Sequence, residues 1–515
     1  MDRRNFVKKV PLGVGGLLMS QWMADFARAA PAPSAMSLAI GSPVDVYSWD
    51  PTGRIAPAPV SIFKCVFDQP LEYSATSELQ PGLVKAYRWL DKEGKILELE
   101  FRDDVLFHNG DKMTSEDFKY TFFDRPKKEK GVQLGAIWGG IVKVDTPSPT
   151  KAVVHLSYPF VTAPQYLAYT GAFILPKAYI EKVGTEGFIA RPIGTGPYKL
   201  VEYQRDSRIV LQAWEKYWRG PATVQNLTIQ VVKDPTARVS GVQSGQLALA
   251  YNLPIRDAVR LSTNANLTSQ LTPTVDTYVI HMVNTGALTD ANVRLAMHHA
   301  IDKQALSKAF FNGVAAPLAT PAAPGTPAFD PDAKFAYDPE QSRALLAKSG
   351  FSVEKPVSFR FFATNGVYPN DFDMARAIVQ MWKKVGINAS LEAIELSEYF
   401  PKVQSGKLEG PALWLWANAT GDPELAAGAY LNPKMLFSVW RSNDVSAQLD
   451  PLLVEMDYKK RMEGYKQFHK WVVDQGYALP LVQGVSSVVY GKKPGGYVPF
   501  RNGWILPYYW KPVTA

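Results

Sequence analysis

Three arrangements in this sequence bring together residue types that carry out covalent chemistry, and each lacks a required part. Gly241-Val242-Gln243-Ser244-Gly245 sets a serine between glycines, but a nucleophile turn needs it one place earlier, as in G-x-S-x-G. Gly484 to Gly491-Lys492-Lys493 has the glycines and lysine of a phosphate-cradling loop. Six residues instead of four separate those glycines, and no Ser or Thr follows the lysine. The adjacent His298-His299 project about 100° apart on a helix, which suits one metal ion badly; they are expected to be solvated or capping. His108, His155, His281 and His469 are isolated in sequence, and no H-E-x-x-H occurs. Cys65 is the single cysteine, so neither an intramolecular disulfide nor a multi-cysteine zinc site forms. Its setting, Ile62-Phe63-Lys64-Cys65-Val66-Phe67, predicts a buried, inert thiol. Acid pairs such as Glu116-Asp117 fall at a helix start, where the helix dipole accounts for them. Catalysis, a cofactor and a bound metal are therefore not expected.

The chain has 515 residues, 46% hydrophobic and 20% charged, with 37 glycines and 39 prolines. This balance excludes disordered and collagen-like chains, and the length exceeds what one hydrophobic core serves, so several lobes are expected. The net charge of +8 comes partly from the first 29 residues, which hold five basic and two acidic side chains. The densest basic cluster, Lys127, Lys128 and Lys130, is interrupted by Glu129 and reads as a solvated loop. Nucleic acid is not an expected partner.

Residues 1–29 read as an address. Met1 to Lys9 is positively charged, Val10 to Met23 is short and weakly apolar, and Ala27-Arg28-Ala29 offers a cleavage site. Pro11, Gly13, Gly15, Gly16, Ser20 and Gln21 make the apolar part too polar for a membrane span. Arg3-Arg4-Asn5-Phe6-Val7-Lys8 resembles the twin-arginine export motif, which implies delivery of a folded chain to the periplasm by the twin-arginine machinery. Asp2 stands where Ser or Thr is usual. The cleavage site has no cysteine for a lipid anchor, and residues 30–37 form a Pro/Ala-rich leader.

The mature chain alternates strand and helix signals. Leu97-Glu98-Leu99-Glu100-Phe101 and Leu227 to Val231 alternate as half-buried strands. Thr114-Ser115-Glu116-Asp117 opens a helix with Phe118 and Phe122 on one side. Asp290 caps a helix whose stripe is Val293, Ala296, Met297, Ala300 and Ile301, with an exit at Gly313. Asp338-Pro339-Glu340 starts another that stops at Gly350. Met374, Ile378, Trp382 and Val385 mark a longer helix closing at Gly386, and from Phe359 to Ile394 the pattern is β-α-β.

Six stretches in order are together similar to the family 5 solute-binding proteins of bacterial ABC importers, the oligopeptide, dipeptide and nickel group. They are Phe107-His108-Asn109-Gly110-Asp111 with Thr114 to Asp117, and Pro192-Ile193-Gly194-Thr195-Gly196-Pro197-Tyr198. Tyr217-Trp218-Arg219-Gly220 and Gln243-Ser244-Gly245-Gln246-Leu247-Ala248 follow, then Asn292 to Met297 running on through Ala300-Ile301-Asp302-Lys303, and Tyr337-Asp338-Pro339-Glu340. The glycine and proline positions read as turns that report the fold, not the ligand.

The resemblance implies an α/β, two-lobed periplasmic-binding-protein fold with an extra subdomain in lobe I and two crossing hinge strands. Lobe I would take residues 30–275, with the subdomain at about 68–188, and lobe II residues 276–484. Residues 485–515 would return to lobe I, and the crossings would fall near Pro273–Tyr278 and Leu481–Val485. The implied function is capture of a small solute between the lobes, by a monomer that delivers it to the importer's membrane subunits. Leu413 to Pro423 aligns with the segment W-x-A-D-Y-x-x-P, whose aspartate pairs with a peptide's amino terminus in peptide binders. Ala419 stands in that place, which counts against a free amino terminus, since a buried ammonium needs its counter-charge; Asp422 is the substitute if the loop shifts. Ligand-binding candidates are Trp414, Trp416, Asn418, Asp422, Tyr47, Trp49, Tyr278 and Trp504, chosen because flat rings and a few polar groups line solute pockets. Trp138 is a further aromatic, and Arg376, Arg441 and Arg501 are cations able to hold a carboxylate. An enzyme or an export-linked helper on the same scaffold is the alternative. Changing Arg3 and Arg4 together to Lys is expected to strand the protein in the cytoplasm, as cell fractionation would show; undiminished periplasmic delivery contradicts the twin-arginine reading.

Overall fold

Side-chain caps set several helices where the sequence places them. Asp290 accepts a hydrogen bond from the Asn292 N–H at 2.8 Å and starts the helix Ala291–His299. Asp338 does the same for Gln341, with Pro339 in the first turn of Pro339–Lys348. Thr114 and Asp117 form a reciprocal capping box at the start of Ser115–Lys119, after which the chain widens to a π-helical turn over Tyr120–Asp124. Phe118 and Phe122 stack there at 4.5 Å between ring centroids, inside the core. The computed structural model describes residues 36–510 except 419, 436, 437 and 493. The address read at residues 1–29 and the substitution at Ala419 lie outside the described residues, and the leader expected to run to residue 37 ends sooner, since Ser37 already opens a strand.

One expected helix is two. The stripe from Val293 to Ile301 breaks after His299, because Asp302 caps a second helix, Lys303–Phe311, by accepting from the Ala305 N–H at 2.9 Å. His298 is also a correction: it is fully buried, not solvated. Lys303 Nζ lies 2.7 Å from His298 Nε2 and donates to the Leu318 carbonyl, while the Phe335 ring stacks on the imidazole at 3.5 Å. Helical periodicity could not foresee that a distant loop would roof this face.

Among the described residues, the strands form one ten-stranded sheet and two smaller ones. In spatial order the large sheet runs Ile387–Ala393, Val357–Ala363, Ala412–Trp416, Leu267–His281, Ala478–Gly491, Leu249–Tyr251, Ser37–Ser42, Asn226–Val231, Arg208–Ala213 and Tyr198–Gln204. Val357–Ala363 and Ile387–Ala393 are parallel, from Val357 opposite Ile387 to Ala363 opposite Ala393, joined through the helix Asp371–Lys383. This is the expected β-α-β unit. Leu267–His281 and Ala478–Gly491 are much longer than the rest and run antiparallel through the middle, with register shifts between Pro273 and Val279. They cross between the two lobes. A four-stranded antiparallel sheet (Val84–Trp89, Ile96–Phe101, Lys151–Leu156 and Ile141–Ser148) builds the subdomain, with Trp138 in its core. Phe500, Trp504 and Leu506, more than 340 residues further along, pack into that same core.

Two sequence motifs lock onto each other in lobe I. His108 is buried, and its Nδ1 accepts from the Gly194 N–H at 3.2 Å while Nε2 sits 2.9 Å from the Gly196 carbonyl. With Nδ1 accepting, Nε2 carries the proton and donates, so the ring is neutral. Burial pushes its pKa down to about 4, in keeping with that state. A methyl group at Gly196 would stand 2.5 Å from the Val66 carbonyl carbon, so the backbone approach there tolerates no side chain. Cys65 on the neighbouring helix is buried, and its thiol is pushed up to about 12 by burial. His108→Ala is expected to cost about 2 kcal/mol through two lost buried hydrogen bonds. Denaturant unfolding checks this; unchanged stability would show that the lock is not needed.

Candidate functional site

Directly after the strand Ala412–Trp416, the chain folds into a tight segment at the edge of lobe II. Asp422 Oδ1 accepts from the Glu424 N–H (3.0 Å), and Thr420 Oγ1 accepts from the Asp422 N–H (3.2 Å). Gly421 closes the turn with a positive φ of 64° and donates to the Asn418 carbonyl at 2.9 Å. Arg461, on the helix Tyr458–Asp474, clamps Asp422 with two hydrogen bonds of 3.0 and 2.6 Å, both side chains being 3% exposed. Trp416 donates its Nε1–H to the Leu425 carbonyl at 2.6 Å and meets Tyr430 edge-on at 5.2 Å. The segment is therefore pre-shaped on both flanks. Its root is tied to the hinge, since the Asn418 N–H donates to Asp276 Oδ1 at 3.0 Å.

Lobe I faces this segment. Glu424 Oε2 accepts from Thr162 Oγ1 at 3.4 Å, and Leu425 packs against the core that holds Tyr73, Tyr166 and Trp504. A methyl group at Gly421 would lie 3.8 Å from the Ser77 carbonyl. Arg501 donates to the Pro324 carbonyl of lobe II, and its own carbonyl accepts from the Val275 N–H on the hinge at 2.9 Å. These contacts form a seam beside the two long paired strands. Several polar atoms at or beside it are buried without a protein partner: Ser77 Oγ, both amide atoms of Asn502, and the Tyr430 hydroxyl. Such atoms are costly unless something bonds them.

Two half-buried carboxylates belong to the seam. Burial pushes Asp276 up to about 6, against the bonds it accepts from Asn418 and Thr274. Burial, and next the Asp422 charge, push Glu424 up to about 7. Both change charge in the range where most carboxylates are fully ionised.

The structure brings Trp416, Asn418 and Asp422 to this seam, places Trp504, 6% exposed, inside the core on which Leu425 packs, and leaves the other candidates elsewhere. Trp414, 4% exposed, stacks on Tyr399 at 4.0 Å inside lobe II. Tyr278 is enclosed, its hydroxyl donating to the Pro369 carbonyl at 2.6 Å. Tyr47 and Trp49 border a separate crevice of about 720 Å³ in lobe I, together with Tyr179 and Arg191. Asp422 is not free for a ligand cation, because Arg461 holds it. Of the cations, Arg376 pairs with Asp373 on the surface, and Arg441 donates to the carbonyls of Val403 and Ser438. Sequence reasoning missed Asp276, Glu424, Ser77 and Asn502. Asp276 alone carried a signal, as an acid inside the stretch expected to cross between lobes. Chemically, the seam offers hydrogen bonds, aromatic faces and two titratable acids. Among the described residues, no group of three His, Cys, Asp or Glu stands close enough to hold a metal ion.

Comparison with known proteins agrees with this architecture. The profile of the family described as bacterial extracellular solute-binding proteins, family 5 Middle, matches residues 78–434. A dipeptide-binding protein of Escherichia coli (strain K12) is 27% identical over 459 residues, covering 82% of this chain and 84% of that protein. The structure of NikA from Brucella suis in complex with Fe(III)-EDTA superposes with a TM-score of 0.82 at 21% identity, covering 93% of this chain and all of that one. AgaA in complex with agropinic acid, from A. tumefacien R10, gives 0.76 at 21% identity, over 93% and 99%.

Arg461→Ala is expected to destabilise the fold by about 3–5 kcal/mol, since it strands the buried Asp422 charge. Asp422→Asn combined with Arg461→Met should recover much of that loss. Equal losses in the single and double variants, measured by denaturant unfolding, would contradict the clamp.

Proposed function

Because this chain belongs to the bacterial extracellular solute-binding proteins of family 5, we propose that it is the periplasmic solute-binding component of an ABC importer. It encloses a small organic solute between its lobes and presents the closed form to the importer's membrane subunits. One observation supports the reading: the 420–425 segment meets the face holding Thr162 and Ser77, beside the pair of long antiparallel strands. Groups left unpaired by protein on such a seam are partners for a guest.

In this reading lobe I comprises residues 30–275 and 485–515, with its subdomain at about 68–188, and lobe II comprises 276–484. The hinges lie near 273–278 and 481–485. Trp416 and Trp504 flank the guest, Asn418 and the clamped Asp422 shape the wall beside it, and Asn502 bonds it. Its relatives include a dipeptide-binding protein and proteins seen with Fe(III)-EDTA and with agropinic acid. A peptide-like solute fits that range, but Ala419 lacks the usual carboxylate and Arg461 occupies Asp422. A conjugate without a free amino terminus is thus favoured over a simple peptide. The protein acts by binding, as a monomer, and reaches the periplasm by the twin-arginine route.

Micromolar affinity would supply about 8 kcal/mol in total, of which only the part that favours the closed form drives closure. Native mass spectrometry of protein purified from its own host is expected to show one co-purified small molecule. Calorimetry with that molecule should then find its affinity weakened about tenfold or more in Asn502→Ala, the loss of one buried hydrogen bond. The ligand-free melting temperature should stay unchanged or rise, since the variant removes an unpaired amide. Unaltered affinity removes Asn502 from the site, and conversion of the solute by the protein alone contradicts a binding role.

A further inference from the structure

Glu424 reaches from lobe II into lobe I. Its carboxylate accepts from Thr162 Oγ1 at 3.4 Å and is hydrogen-bonded by the Tyr166 hydroxyl. Every element packed around it contributes a charged or titratable group. Its own segment provides Asp422, the helix Tyr458–Asp474 provides Arg461 and Tyr465, and lobe I provides Tyr166 and Tyr169. Arg461 is the cation of this set, and it lies bidentate on Asp422. Glu424 therefore sits half-buried among hydroxyls and beside a second carboxylate. When the lobes part, Thr162, Tyr166 and Tyr169 leave with lobe I and water takes their place.

We propose that Glu424 is a proton-dependent latch of the closed form, fastening the lobes when protonated and releasing them when ionised. A protonated carboxyl donates to the Tyr166 oxygen while still accepting from Thr162, and it removes the repulsion of Asp422. The ionised group must instead give up water without gaining a cation, which is costly. The inference rests on the reading of the protein as a two-lobed clamp, and it adds the variable that sets the resting balance between open and closed.

The sign follows from linkage. Burial first, and Asp422 next, raise the closed-state carboxyl to about 7, whereas an open, hydrated glutamate titrates near 4.3. The extra stability of the closed form is thus complete below the ordinary carboxylate range and is lost as pH rises through about 7. With those two values the closed-to-open ratio falls about tenfold between pH 6 and pH 8.5.

The test uses the mature chain without solute, carrying Val142→Cys and Val454→Cys for nitroxide labels at exposed sites on the two lobes; Cys65 is buried and stays unlabelled. Pulsed dipolar spectroscopy from pH 5.5 to 8.5 reads the two distance populations. The expected result is a loss of the closed population with rising pH in the parent chain and, in Glu424→Gln, a ratio that stays constant above about pH 7, where Asp276 is already ionised. That variant is isosteric and still accepts from Thr162, so its fold should be intact by circular dichroism. A flat profile in the parent, or the same profile in the variant, overturns the latch while leaving the clamp in place. A single fixed distance at every pH overturns the clamp and the latch together.

Discussion

The two halves of the large sheet are joined by the pairing of Leu267–His281 with Ala478–Gly491, and the other features of the molecule depend on that join. The ladder runs from Leu267 opposite Gly491 to His281 opposite Ala478, and its register slips between Pro273 and Val279. Irregularities of this kind bend a strand and weaken its pairing locally, so the join is firm at both ends and soft between them. Gly484 sits at the soft point, where a side chain would come within 2.6 Å of Thr274 Oγ1 and 3.1 Å of Asp276 Cβ. The hinge is thus closely packed, and Asp276, which anchors Asn418, ties it to the segment whose Glu424 meets Thr162.

The motifs that mark the family do a different job from the seam. Phe107 to Asp111 and Pro192 to Tyr198 are far apart in sequence, yet His108 bonds the backbone of both Gly194 and Gly196. Gly194 and Gly196 are required by close packing on Val66, so they fix a framework and leave the solute undetermined. The variable chemistry lies in short stretches between framework elements, where Asp422 is locked by Arg461 and the neighbouring Glu424 is left among hydroxyls. A shared scaffold can in this way carry relatives whose ligands differ widely.

Local signals made most of the framework legible. Asp290, Asp338 and Thr114 cap helices through contacts two or three residues away, and the alternation around Leu97 and Leu227 follows from one buried face. The same reasoning failed wherever a distant part of the chain decided the outcome. His298 is roofed by Phe335 and bonded by Lys303, which no periodicity reveals. Trp414 and Trp416 share a strand, yet Trp414 is sealed by Tyr399 and Tyr368 while Trp416 stays at the rim. Glu424 was illegible for the same reason: its partners Thr162 and Tyr166 come from a distant part of the chain. The candidates Tyr47 and Trp49 were chosen for ring type alone, and the fold sets them beside a different crevice.

The central claim is that the guest lies at the seam, between the 416–425 segment and the face that carries Ser77, Trp504 and Asn502. A crystal structure of protein purified from its own host, with its co-purified molecule, tests this most directly. Density in contact with Asn502 and the ring of Trp416 or Trp504 is the expected result. A molecule seated instead in the crevice beside Tyr47 and Trp49, with nothing held between the lobes, would contradict the account.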